Sequence, residues 1–218
     1  VLDELGIAVE LDGPQVAACV AQVGIAFAFA RMFHPATRHA ATVRAELGIP
    51  TVFNMLGPIA HPARLKRAVI GVSDPSRLEL LADVMRRRGV DRVWLVHGQD
   101  GLDELSTSAP SQIVDVTADR VERRTLHPSE VGITEVPGDE IGGGDPVENA
   151  RIITEVLAGK PGPDAELILL NAAAGLVVSG LHDDLGEALE AARTSIASGA
   201  AERTLTELRA VTAELIAG

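Results

Sequence analysis

Three carboxylates fall within five positions in the stretch Val96-His97-Gly98-Gln99-Asp100-Gly101-Leu102-Asp103-Glu104, directly behind an apolar run. In parallel α/β sheets the ligand crevice lies outside the carboxyl ends of the strands. Adjacent carboxylates on such a loop suit Mg²⁺, which takes one or two of them and leaves positions for substrate phosphates. The same spacing also reads as a solvated acidic turn. A second group runs from Phe33-His34-Pro35 to Arg44. His34 precedes the proline that opens a helix, close to a positive helix end where a carboxylate ligand is favoured. Arg44 carries a guanidinium fork that can grip a carboxylate. The plainer alternatives are a capping histidine and a surface arginine paired with Glu46 or another acid.

Three further segments offer less. Asn54-Met55-Leu56-Gly57-Pro58 forces a stiff turn between apolar flanks, and reads locally as structural. Gly142-Gly143-Gly144-Asp145 can approach a phosphate closely or form a mobile loop. Asn171, one amide in the apolar run Leu169 to Ala174, reads as a satisfied buried hydrogen bonder.

The elements that must position these groups follow from periodicity and caps. Residues 1–24 read as helical with one break, where Asp12-Gly13-Pro14-Gln15 forms a capping box with proline in the first turn. Ile25 to Ala30 reads as a short buried strand, and Pro35 to Leu47 as a helix. Arg67 to Val72 is a strand, followed by Asp74-Pro75 capping a helix with an apolar face of Leu78, Leu81, Val84 and Met85. Arg92 to Val96 completes a β-α-β unit and predicts a parallel pair. Two more polar strands, Ile113–Val116 and Val121–Leu126, precede an Asp145-capped helix reaching about Leu157. Alanine-rich helices then fill most of residues 164–217, separated by Gly180 and Gly199. The class is α/β, with a central, largely parallel sheet flanked by helices.

Composition narrows the function. The 218 residues carry a formal charge of −12, and all but Lys66 and Lys160 of the 19 basic residues are arginine. That balance argues against a broad nucleic-acid or anionic-membrane surface, but not against a local phosphate cradle. Cys19, the only cysteine, excludes an intrachain disulfide and suits a reducing, cytoplasmic setting. No run approaches the 18 apolar residues of a membrane span. P-loop, G-x-S-x-G, H-E-x-x-H and dinucleotide-binding glycine motifs are all absent.

Four stretches in order resemble the anthranilate phosphoribosyltransferase family. They are Val23-Gly24-Ile25 through Phe33-His34-Pro35-Ala36 to Val43-Arg44; Asn54 to Pro58; Val96-His97-Gly98 with Asp100 to Glu104; and Gly143-Gly144-Asp145 with Glu148-Asn149-Ala150, followed by Leu170-Asn171-Ala172-Ala173. The resemblance implies a phosphoribosyltransferase-like α/β domain at residues 25–218. Residues 1–24 would be the hinge and remnant of a small helical domain, through which the family forms homodimers. It implies transfer of a phosphoribosyl group from phosphoribosyl pyrophosphate to the amine of anthranilate, in tryptophan biosynthesis. Asp103 and Glu104 fall on the family's Mg²⁺-binding pair and Arg44 on the contact to anthranilate's carboxylate. His34 and Pro58 fall on the entry channel, and no residue is assigned as a catalytic base.

The family's glycine-rich donor loop and its Lys-His-Gly-Asn segment lie upstream of Val1 in this resemblance, so the 218 residues alone are expected to be inactive. Ala60-His61 and Thr37 depart from the family pattern and bear on anthranilate entry. Two rivals share the fold: a pyrimidine nucleoside phosphorylase, which the acidic pair fits less well, and a non-catalytic nucleic-acid-binding relative, which the charge opposes.

Overall fold

The computed structural model describes residues 1–34, 46, 48, 57 and 59–217. In chain order the elements are α1 (Gly13–Val23), α2 (Ala30–Phe33), β1 (Arg67–Gly71), α3 (Leu78–Arg87), β2 (Arg92–Gly98), β3 (Ser111–Val116), β4 (Val121–Leu126), α4 (Pro146–Leu157), α5 (Pro163–Ser179), α6 (Leu185–Ala197) and α7 (Ala200–Ala217). Several boundaries are set by local chemistry. The Asp12 carboxylate accepts from the Gln15 amide while the Gln15 side chain accepts from the Asp12 amide, closing the expected capping box. Gly24 ends α1 with a left-handed φ of 87°, which most side chains resist. Asp145 accepts from the amides of Val147 and Glu148 at the start of α4. Asp74 caps a short 3₁₀ turn, Pro75–Arg77, that leads into α3.

The described sheet has four strands in the order β1-β2-β3-β4. The β-α-β expectation holds: β1 and β2 are parallel, with Val69 opposite Trp94 and Gly71 opposite Val96. Among the described strands the sheet is mixed rather than largely parallel, since β2–β3 and β3–β4 are antiparallel. For β3–β4 the reason lies in the connection, because residues 117–120 are too few for the crossover that a parallel pair requires. A second difference concerns Ile25 to Ala30, which forms no strand. Ile25 is 49% exposed and Phe27 39%, and Phe27 stacks on Phe29 with ring centroids 6.0 Å apart. The helix expected over Pro35 to Leu47 lies almost wholly outside the described residues.

β2 is buried along nearly its whole length, and its alternation serves two cores. Val93 and Leu95, with Val114 and Val116 of β3, face α3 through Leu78, Leu81, Ala82 and Met85. Trp94 and Val96, with Ile113, face α5 and α6 through Leu170, Ala173, Ala174, Val177 and Leu189. The α5 helix is seated from below as well. Arg67 donates to the carbonyl of Val178 at 2.9 Å and Arg92 to that of Val177 at 3.2 Å, meeting the negative end of the helix with two cations. Arg92 also grips Asp115 through Nε and Nη2.

A third cluster joins the two ends of the sequence. Leu5, Ile7, Leu11 and Cys19 pack with Ala150 of α4 and Leu208 of α7. The Ala8 amide donates to Thr212 Oγ1, Arg209 donates to the Leu5 carbonyl, and Gln15 Nε2 donates to the Leu215 carbonyl.

Because Leu95 is fully buried and packed, Leu95→Ala is expected to cost about 2–5 kcal/mol in urea unfolding. Leu80→Ala, on the 52% exposed outer side of α3, should change stability by less than about 0.5 kcal/mol.

Candidate functional site

At the carboxyl end of β2 the chain leaves the sheet at Gly98 and returns into β3 at Ser111. Residues 99–110 between them make a loop held by its own backbone. Gln99 donates to the Pro110 carbonyl, Gly98 to the Leu102 carbonyl and Gly101 to the Gly98 carbonyl. Asp100, though exposed like Asp103 and Glu104, is engaged by the loop itself. Its Oδ2 accepts from Ser106 Oγ at 2.5 Å, and Ser106 Oγ in turn accepts from the amides of Ser108 and Ala109. This serine hub is the residue that spacing alone did not single out. Its signal was Asp-Gly followed by a Ser-Thr-Ser run.

Asp100 therefore staples the loop, and Asp103 and Glu104 remain as its adjacent outward pair. Glu104's carboxyl is pushed above the usual carboxylate range, first by partial desolvation and then by the neighbouring Asp103 charge. Both side chains stay exposed, which bounds the effect.

Three contacts place this pair. A Cβ on Gly71, at the end of β1, would lie 1.8 Å from the Asp103 carbonyl oxygen, so only glycine lets the strand end approach that backbone. His97, buried beneath the loop, has Nδ1 2.8 Å from the Val72 carbonyl, fastening the ends of β1 and β2 together. From α5, Asn171 accepts from the Leu105 amide at 3.0 Å and donates to the Leu105 carbonyl at 2.9 Å. Asn171 is satisfied as expected, but it is half-buried rather than buried.

Chemically, two adjacent carboxylates, one disfavoured as an anion, form a place where a divalent cation relieves repulsion. Among the described residues no group of three or more His, Cys, Asp and Glu is arranged around a point. The donor set fits Mg²⁺ held by a carboxylate pair with phosphates and water completing the shell, not a protein cage.

His34 sits at the C-terminal end of α2, its amide donating to the Ala30 carbonyl. It lies near His61, whose ring is pushed down by burial and by the proximity of His34. Sequence reasoning noted His61 only as a departure from pattern. Arg44 and Pro58 lie outside the described residues, as do the other residues between His34 and Glu46.

Two predictions follow from the loop. Gly71→Ala must displace Asp103, so it should cost about 1–3 kcal/mol and shift amide resonances of residues 99–106 beyond those of the rest of the sheet. A carboxyl with a raised folded-state pKa stabilises the fold at low pH and loses that contribution as pH rises through the raised value. In metal-free buffer Glu104→Gln should thus melt no lower than the parent at pH 7, with the difference closing below about pH 4. A Gln variant that melts lower at pH 7 contradicts this.

Residues 1–202 match the family described as the glycosyl transferase family, a/b domain. The chain is 46% identical over 212 residues to the anthranilate phosphoribosyltransferase of Thermomicrobium roseum, covering 96% of this chain and 61% of that one. It is 43% identical to that of Herpetosiphon aurantiacus, covering 95% and 62%. Among solved structures, the Thermus thermophilus enzyme superposes with a TM-score of 0.89 at 38% identity, over 97% of this chain and 63% of that one. The Saccharomyces cerevisiae enzyme in complex with PRPP and Mg gives 0.89 at 28% identity, over 98% and 62%. The chain thus spans about three fifths of the length of the relatives it matches.

Proposed function

The chain belongs to the glycosyl transferase family, a/b domain, and on that premise we propose that it serves an anthranilate phosphoribosyltransferase, contributing the metal-holding loop and the acceptor contacts. The observation that carries this reading is the Asp103-Glu104 pair, presented at the carboxyl end of a buried strand on a loop fastened from three sides. The names of the relatives support it, and neither the nucleoside phosphorylase nor the nucleic-acid-binding alternative is favoured by them.

In the proposed reaction the amine of anthranilate attacks C1′ of phosphoribosyl pyrophosphate. The C1′–N bond forms, the C1′–oxygen bond to pyrophosphate breaks, and the amine loses a proton to solvent. The amine is already nucleophilic, so the protein's task is to position two substrates and offset developing charge. Arg44 would hold anthranilate's carboxylate, with His34 and Pro58 lining its approach. Asp103 and Glu104 would hold Mg²⁺, and the bound ion supplies charge neutralisation at the departing pyrophosphate. In this reading residues 1–24 lie on the hinge side and residues 25–218 form the α/β domain. The assembly is a cytoplasmic homodimer.

The assay follows loss of anthranilate fluorescence in the full-length protein with phosphoribosyl pyrophosphate and Mg²⁺. Joint replacement Asp103→Ala and Glu104→Ala should lower kcat/KM at least about a thousandfold, since metal-assisted charge stabilisation is worth several kcal/mol. Arg44→Ala should raise the anthranilate KM about 10–100-fold, the scale of one charge-assisted hydrogen-bonded pair. Full turnover in the acidic double variant would overturn the assignment.

A further inference from the structure

Asn171 lies midway along α5, 66 positions from the residue that it holds. Its Oδ1 accepts the N–H of the peptide group linking Glu104 to Leu105, and its Nδ2 donates to the carbonyl of Leu105 itself. The second Nδ2 proton goes to the Leu167 carbonyl one turn back at 3.0 Å, which fixes the amide's orientation. An amide is the one side-chain group that offers a donor and an acceptor side by side, as a neighbouring strand would. Here it pairs with an irregular loop that no strand accompanies. Leu105 is fully buried, so its N–H and C=O have no water to replace that pairing.

The helix behind this amide is itself immobilised. Arg67 and Arg92 hold the carbonyls of its last turn, and Leu169, Leu170, Ala173 and Ala174 are buried against the sheet. On the other side of the acidic pair, Gly71 meets the Asp103 carbonyl without a side chain between them. The Asp103-Glu104 dipeptide is thus gripped at its first carbonyl by β1 and at its last peptide plane by α5.

We propose that Asn171 is a positioning residue whose amide, by holding the Glu104–Leu105 peptide group, sets the direction in which Asp103 and Glu104 present their carboxylates. This rests on the reading of those two acids as the metal-holding pair. Asn171 touches neither metal nor substrate. Its contribution is that the pair need not be ordered when the cation arrives, so affinity is not spent on organising the loop.

The test compares Asn171→Asp, which keeps the acceptor but loses both donors, with Asn171→Leu, which loses all three bonds at similar volume. Hydrogen exchange of the chain is read for residues 99–109 against the rest of α5 and the sheet. Mn²⁺ binding in the presence of pyrophosphate is followed by electron paramagnetic resonance, with Asp103→Ala as reference. In the full-length protein, the Mg²⁺ concentration for half-maximal activity is compared with the anthranilate KM.

Expected are at least tenfold faster exchange at the Leu105 amide with the sheet still protected, and at least tenfold weaker Mn²⁺ binding for Asn171→Leu. Asn171→Asp should be intermediate, and the Mg²⁺ requirement should rise while the anthranilate KM moves less than twofold. Parental Mn²⁺ affinity in a variant whose loop has opened would overturn the proposal. So would exchange that rises equally across α5 and the sheet, which marks a merely structural amide. If Asp103→Ala itself binds Mn²⁺ like the parent, the acidic-pair reading fails and takes this proposal with it. If Asp103→Ala loses affinity and both Asn171 variants keep it, only the role of Asn171 falls.

Discussion

A strand sealed on both faces is the constraint on which the rest of this structure depends. β2 has no face left for water, because α3 covers one side and α5 with α6 the other. Burying Trp94, Leu95, Val96 and Ile113 contributes on the order of 1.5–3 kcal/mol per side chain before conformational entropy is charged against it. Such a strand has little freedom to slip, since a one-residue shift would exchange the two cores. Its carboxyl end is therefore a fixed point. The loop that leaves Gly98 inherits that fixity and exposes only what its internal bonds do not consume.

Within the loop, like residues are sorted by geometry. Asp100, Asp103 and Glu104 are all exposed, yet Asp100 is spent on Ser106 while Asp103 and Glu104 stand side by side. A short hydrogen-bonded carboxylate makes the backbone rigid, and two unshielded ones leave a local excess of negative charge. That excess costs stability unless something cationic arrives. Sites of this kind are where natural sequences hold less stability than they could.

The caps were legible because their partners lie three residues away, as at Asp12 with Gln15 and at Asp145 with Glu148. The α/β class and the β1–β2 parallel pair were legible from apolar period and spacing. Failures came where the partner is distant or the flanks mislead. Ile25 to Ala30 has strand composition, but among the described residues no strand pairs with it. Its phenylalanines satisfy each other at the surface instead. The antiparallel course of β3 was hidden because 12 intervening residues are enough for a crossover helix, and only the loop's inward hydrogen bonds decide against one. The acidic pair itself was readable from its spacing and the strand before it. The opposing contacts from Gly71 and Asn171 were not, since neither position announces in sequence which backbone it will meet.

The bonds between Leu5 and Arg209, Ala8 and Thr212, and Gln15 and Leu215 make this packing wait on the synthesis of α7. Leu5, Ile7 and Leu11 are made well before their cover on α7, which carries Leu208. At about 5–20 residues per second, roughly 10–40 s separate the two on the ribosome. During that interval the Leu5–Leu11 segment is available to chaperones, while the described strands of the β2-centred sheet are completed before α7 is made. The Leu5–Leu11 segment then stays uncovered until α7 is available to capture it.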